Sequence, residues 1–186
     1  MRARSRGVDR PGEGLQYSLT MLHPAALPAG SLLRECEQAA VRRSGPGGQH
    51  RNKAHTGVVL THRPTGVRAE ASESRSRAQN LKVALQRVRV NLALAVRGPA
   101  PAGPSALWRG RVRDQRLLVR ADHTDFPALL AEALDVLAAH EDEVVSAAPW
   151  LGLTPTQLVR LLAKEPRALA ALNAVRAAKG LRALRD

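Results

Sequence analysis

Gly45, Gly47 and Gly48 stand in the run SGPGGQHRNK, with Arg42, Arg43, Arg51 and Lys53 around them. Glycine has no Cβ, so such a loop can take positive φ and bring its amides close to a ligand. The surrounding cations would favour an anionic one, RNA phosphates above all. The run lacks the Lys-Ser/Thr ending of a nucleotide-binding P-loop, and its glycine spacing is not that of a dinucleotide fingerprint. His50, His55 and His62 lie close by, but the carboxylates near them in sequence are Glu70 and Glu73, and no nucleophile, base and orienter emerge as a set. Metal-ligand spacings are also missing, so no metal and no cofactor are expected. His62 reads as a packing or hydrogen-bonding residue at a strand end.

The elements that must position this loop follow from period and punctuation. GVVLTH and VRAEA flank RPTG, in which Pro64 suits a type I turn and Gly66 a left-handed residue after it. This predicts a β-hairpin with Val67, Ala69 and Ala71 on one face and Arg68 and Glu70 on the other. From Ser76 to Val96 the period becomes helical: Leu81, Leu85, Val88, Leu92 and Val96 form one stripe, and Lys82, Gln86 and Arg89 an outward cationic face. SLLRE predicts a helical turn capped by Ser31, and EQAAVRR a third strand. RGPAPAGPS, residues 97–105, cannot continue a helix or strand and marks a boundary. Beyond it, WRGRVRDQR is basic, Asp125 is placed to cap one helix over FPALLAEALDVLAAHEDEVV, and PTQLVRLLAK and RALAALNAVRAAKG predict two more. The expected fold is α+β: a short sheet covered by a helix, followed by an all-α helical bundle. The expected divisions are a flexible basic arm at 1–26, the loop-bearing domain at 27–97, a linker at 98–105 and a helical domain at 106–186.

The formal charge is +13, with 25 Arg against 4 Lys. A GC-rich genome would supply arginine regardless of function, but it would not segregate charge. Residues 1–120 carry 22 basic and 7 acidic side chains, residues 121–153 carry 7 acidic and no basic ones, and residues 154–186 carry 7 basic and 2 acidic. That distribution points to an anionic polymer as partner for the first part. The acidic stretch would meet a protein partner or shield a basic surface of its own chain. One cysteine, Cys36, leaves no internal disulfide and reads as a small half-buried apolar residue. With no apolar run of about eighteen residues, the expected location is the cytoplasm.

SGPGGQHRNK, LTHRPTG and RSRAQN, in this order and spacing, resemble the catalytic domain of class I peptide chain release factors and related ribosome-rescue hydrolases, over about Cys36 to Val96. The resemblance implies peptidyl-tRNA ester hydrolysis in the large ribosomal subunit, with ribosomal RNA and the P-site peptidyl-tRNA as partners. It makes Gly47, Gly48 and Gln49 the catalytic tip: the Gln49 N–H would donate to charge developing on the ester, and its side chain would position water. A donor so placed is worth about 2.7–4 kcal/mol. RNA contacts are expected from Arg42, Arg43, Arg51, Lys53, Arg75, Arg77, Lys82 and Arg89. Arg77 stands where the family usually has Gln, and AHTG replaces a commoner Thr-Asp-Ser-Ala-like run. Only about forty residues precede the loop, so codon-independent action on stalled ribosomes is expected, with Arg109, Arg111, Arg113, Arg116 and Arg120 as a substitute anchor.

Two other functions compete. One is a noncatalytic ribosome-binding or RNA-binding protein of the same fold. The other is a DNA binder whose last two helices form a helix-turn-helix offering Arg167, Asn173, Arg176 and Lys179. The favoured reading of that pair is a helical hairpin packing its leucines against Leu130, Leu134 and Leu137.

Overall fold

The computed structural model describes residues 22–41, 56–99 and 101–186. A 3-10 turn at Pro24–Ala26 leads into α1 (Ala29–Glu35), then β1 (Cys36–Val41), β2 (Gly57–His62), β3 (Arg68–Ala71) and α2 (Arg77–Ala95). The second part contains α3 (Ala106–Arg111), a two-stranded ribbon of β4 (Val112–Arg113) and β5 (Arg116–Leu117), and the helices α4 (Phe126–Ala139), α5 (Val144–Trp150), α6 (Pro155–Ala163) and α7 (Pro166–Ala178). This is the expected α+β unit followed by helices, and no helix of the described residues is long and apolar enough to cross a membrane.

The sheet is an antiparallel meander with β2 in the middle. Its register runs from Cys36 opposite His62 to Val41 opposite Gly57, and from Val58 opposite Ala71 to Thr61 opposite Arg68. Gly66, at φ 70°, takes the left-handed position that the hairpin turn requires. EQAAVRR thus supplies most of β1, and α1 begins two residues before Ser31, with Pro28 at its cap.

α2 covers the sheet on one side and packs along α4 on the other. Its buried line is Asn80, Ala84, Val88 and Leu92, one residue away from the expected Leu81 and Leu85. Leu81, Leu85 and Val96 flank that core, half-buried. The offset arises because the helix is covered from two directions, so its apolar residues spread over both contact faces instead of one stripe.

One hydrophobic core runs through both parts of the chain, from Leu32, Leu60 and Val88 to Leu130, Leu137 and Leu162. The Pro/Gly segment after α2 is pinned to α4 at each end. Gly98 N–H donates to Asp135 Oδ1 at 2.9 Å, and Ser105 donates to both Glu132 oxygens at 2.7 and 2.6 Å. Ser105 also caps α3 through Trp108 N–H, and the buried Trp108 indole donates to the Leu151 carbonyl at 2.7 Å. Residues at the end of the expected arm belong to the fold as well: Ala25 is fully buried, and His23 hydrogen-bonds the Val96 carbonyl at 3.2 Å.

Two helix boundaries differ from expectation. Asp125 sits at the cap of α4, but no side-chain capping bond forms, because its carboxylate is taken by Arg111 at 2.5 Å. The stretch expected as one helix to Val145 breaks after Ala139, where Glu141 and Asp142 take φ of 54° and 63° and redirect the chain into α5.

Candidate functional site

Residues 42–55 join the last residue of β1 to the first turn of chain before β2. They carry Gly47, Gly48 and Gln49, the cations Arg42, Arg43, Arg51 and Lys53, and His50 and His55, all of which lie outside the described residues. The structure describes the frame that holds their two ends.

That frame closes at the pair Val41 and Gly57. A Cβ on Gly57 would stand 2.6 Å from the Val41 carbonyl oxygen and 3.2 Å from Ser72 Cβ, so only glycine allows the strands to meet there. The exit residue, Thr56, is held by α2. Asn80, with 0% exposure, donates through Nδ2 to the carbonyls of Thr56 and Ser74, each at 2.8 Å, and accepts from Ser74 N–H through Oδ1 at 2.9 Å. Thr56 Oγ1 adds a bond to the Ser74 carbonyl at 3.3 Å. A buried amide with its donors and acceptor so engaged ties three chain segments at one point. Ser76 then caps α2 through Gln79 N–H. RSRAQN displays Asn80, but its partners lie 24 and 6 residues away, and spacing alone does not reveal the first of them.

At the other end of the hairpin, His62 is 1% exposed, with Nδ1 2.7 Å from Thr65 Oγ1 and Nε2 3.0 Å from Glu35 Oε2. The carboxylate partner is therefore Glu35, not Glu70 or Glu73. Hydroxyl, imidazole and carboxylate stand in the order of a hydrolytic triad, but the ring is enclosed and both its nitrogens are engaged. Thr65 Oγ1 also accepts from Val67 N–H inside the turn. The arrangement braces the RPTG turn against α1, and Arg63 adds bonds to the carbonyls of Glu35 and Arg34. Burial pushes the adjoining Cys36 thiol up from its ordinary pKa, with Glu35 adding to the rise, which leaves it a poor nucleophile.

The expected RNA contacts among the described residues separate into two kinds. Arg75, Arg77 and Lys82 are exposed around the α2 N-terminus, next to the Asn80 clamp. Arg89 is not an outward cation. Its guanidinium donates to the carbonyls of Ala25 at 3.0 Å and Thr124 at 2.8 Å, and burial lowers its pKa. Gln86 on the same face donates to the His123 carbonyl at 3.0 Å. The face expected to look outward thus docks against the turn before α4, and only its first member, Lys82, stays open. Arg87, outside the expected set, binds Glu73 at 2.7 Å and holds that carboxyl below its ordinary pKa.

The acidic stretch is largely consumed within the chain. Asp122 pairs with Arg120, Asp125 with Arg111, and Glu143 with Arg176, while Glu132 and Asp135 hold the linker. The four side chains offered to DNA by the last helix are engaged too. Arg167 bonds Glu165 and Asn91, Asn173 bonds Leu184 backbone, Arg176 reaches the Arg182 carbonyl and Lys179 the Glu141 carbonyl. This favours the helical hairpin, whose Leu158, Leu161, Leu162 and Leu172 are buried. Among the described residues, no three His, Cys, Asp or Glu side chains gather where a metal ion could be held.

Residues 33–100 match the RF-1 domain family. The chain is 42% identical over 71 residues to peptide chain release factor 1 of Acidiphilium cryptum, covering 38% of this chain and 20% of that protein. It is 49% identical over 51 residues to peptide chain release factor 2 of Acidovorax sp., covering 27% and 14%. With the mitochondrial translation release factor in rescue of Danio rerio it shares 44% identity over 87 residues, 47% of this chain and 50% of that one. The chain therefore spans about a fifth or less of the two bacterial factors and half of the zebrafish protein. The frame built by β1, β2, β3 and α2 lies within the matched residues, and it is these residues, 33–100, that belong to the class I peptide chain release factor catalytic domain family.

Proposed function

We propose that this protein hydrolyses the ester of peptidyl-tRNA in the large ribosomal subunit, on stalled ribosomes and without reading a codon. The observation that carries the reading is the closed frame beneath residues 42–55. Gly57 and Asn80 fix where the two chain ends leave the sheet, and the segment between them carries Gly47, Gly48 and Gln49. A short tether on a rigid base limits where a tip can go, and orientation of this kind carries much of the barrier when no acid or base is at hand. The Gln49 N–H donates to the oxyanion that forms as water attacks the ester carbonyl, and the Gln49 side chain orients that water. Gly47 and Gly48 let the backbone approach. Exposed Arg75, Arg77 and Lys82 hold ribosomal RNA phosphates beside the tip, and Arg42, Arg43, Arg51 and Lys53 act with them. Intact Gly-Gly-Gln favours this over a noncatalytic RNA binder.

The test is release of labelled peptide from ribosomes stalled on a message without a stop codon. Gly48→Ala, which displaces the Gln49 N–H, is expected to lower the rate by about a hundredfold or more, the effect of losing one oxyanion donor, and at least as much as Gln49→Ala, which keeps that N–H and removes only the water-orienting side chain. Undiminished release by both variants would reject the assigned tip.

A further inference from the structure

The five arginines of the basic segment are not equivalent. Arg111 is neutralised by Asp125 at 2.5 Å and also meets His123 Nε2 at 3.0 Å, while Arg120 is held by Asp122 at 2.9 Å. Arg109, Arg113 and Arg116 are exposed, and no carboxylate among the described residues pairs with them. They sit at the end of α3 and on the β4–β5 ribbon, which turns tightly through Asp114 and Gln115 at φ 47° and 56°. The ribbon is seated by the buried Leu117 and by Lys164, which donates to the Val119 carbonyl. It is a short cationic ribbon, and Asp114 is the acidic residue on it.

Its root is linked to α2 through His123. Arg111, the residue before β4, contacts His123, whose carbonyl accepts from Gln86. Lys82 precedes Gln86 by one helical turn, about 6 Å along the axis, and is itself exposed. The His123 contact thus connects the helix that carries Lys82 to the segment that carries Arg109, Arg113 and Arg116.

We propose that the β4–β5 ribbon is a second RNA-binding surface, in which Arg109, Arg113 and Arg116 grip the phosphate backbone of ribosomal RNA next to the segment bound by Lys82. The proposal rests on the reading that the protein works on the ribosome, but its test does not depend on hydrolysis. Arg113 donates to the neighbouring Val112 carbonyl at 2.7 Å, but arginines with no carboxylate partner suit phosphate because the guanidinium fork donates two parallel bonds and is weakly hydrated. Arginines on both strands of one ribbon suit a polyanion, since each guanidinium can donate to a separate phosphate.

The experiment measures binding of the full-length protein to purified large ribosomal subunits and to a 20-base-pair RNA duplex, at salt from about 50 to 200 mM. Four forms are compared: wild type, R109E/R113E/R116E, R109K/R113K/R116K, and the charge-matched control R160E/R182E/R185E, whose sites lie on α6 and beyond α7. Circular dichroism melts confirm that all four are folded. The ribbon reversal is expected to weaken binding to both probes at least tenfold and to reduce the slope of log affinity against log salt by about 2 to 3, the share of three phosphates. The lysine form should keep most of the affinity, and the control should lose less than threefold. Equal losses in the ribbon and control reversals would overturn the proposal, as would no loss in the former. Loss on subunits with none on the duplex would move the surface to a ribosomal protein and overturn the RNA assignment. If the wild type binds but releases no peptide, the proposed hydrolysis fails and the ribbon surface stands; if the wild type binds neither probe, both fail.

Discussion

The base of the 42–55 segment and the C-terminal helices share one apolar core but differ in what else holds them. At the base, a bare Cα at Gly57 and one satisfied amide at Asn80 define where three segments meet, beside the buried Val58, Ala71 and Ala84. In the helices, leucines and alanines fill the space: Leu129, Leu130, Leu137, Leu158 and Leu162 are buried, and Trp108 with its single indole bond is an exception. Burial of leucine stabilises without fixing position to a fraction of an ångström, whereas a three-way hydrogen-bonded clamp does fix it. The region that must aim a tip therefore adds directional contacts to its apolar packing, and the region that must only hold the molecule together relies on leucine and alanine burial.

Substitutions can break or sharpen that contrast. Leu162→Ala, in the middle of the helical core, should cost about 2–5 kcal/mol of stability, read by denaturant unfolding, while peptide release per folded molecule stays as in the wild type. Asn80→Ala and Gly57→Ala should each cost about 1–3 kcal/mol. Their release per folded molecule should nevertheless fall by up to a hundredfold, since a displacement of about 1 Å at a reacting centre has that effect. Equal release per folded molecule in all three variants would erase the distinction between the regions.

The smallest effect concerns Asp135, 5% exposed beneath Gly98. Burial raises its pKa, partly offset by the Gly98 N–H and by His23 and Arg97. A carboxyl whose folded pKa exceeds its unfolded value of about 3.9 contributes stability below that value, and the contribution is lost as pH rises through the folded pKa. Asp135→Asn keeps the acceptor for Gly98 and removes the charge. Its melting temperature should exceed the wild type's at neutral pH and match it near pH 3, about a unit below the unfolded value. A higher wild-type value at neutral pH would show that attraction to the nearby Arg97 and His23 outweighs desolvation.

Much of the fold follows from local pattern. RPTG between two apolar runs gives the hairpin, since Gly66 is needed at φ 70°; the helical period gives α2; and the leucine runs give α6 and α7. The resemblance carried by SGPGGQHRNK, LTHRPTG and RSRAQN identifies the family, because linked motifs constrain identity more than any one of them. The pairings escaped. His62 meets Glu35 across 27 positions, Gln86 meets His123 across 37 and Arg89 meets Thr124 across 35. The break at Glu141 and Asp142 escaped too, for neither residue is a glycine and both nonetheless take positive φ.

The sequence by itself determined the period of each element, the turn at Gly66, the segregation of charge and the family, because these depend on residue types at short range. Only the tertiary structure decided which cations remain open. A guanidinium is a free charge or an internal brace according to the carbonyl or carboxylate placed against it, and that neighbour arrives from a distant part of the chain. Arg89 became a brace when Ala25 and Thr124 packed beside it and Arg111 when Asp125 did, whereas Arg116 stays exposed and Arg113, also exposed, meets only the carbonyl of its neighbour Val112 among the described residues.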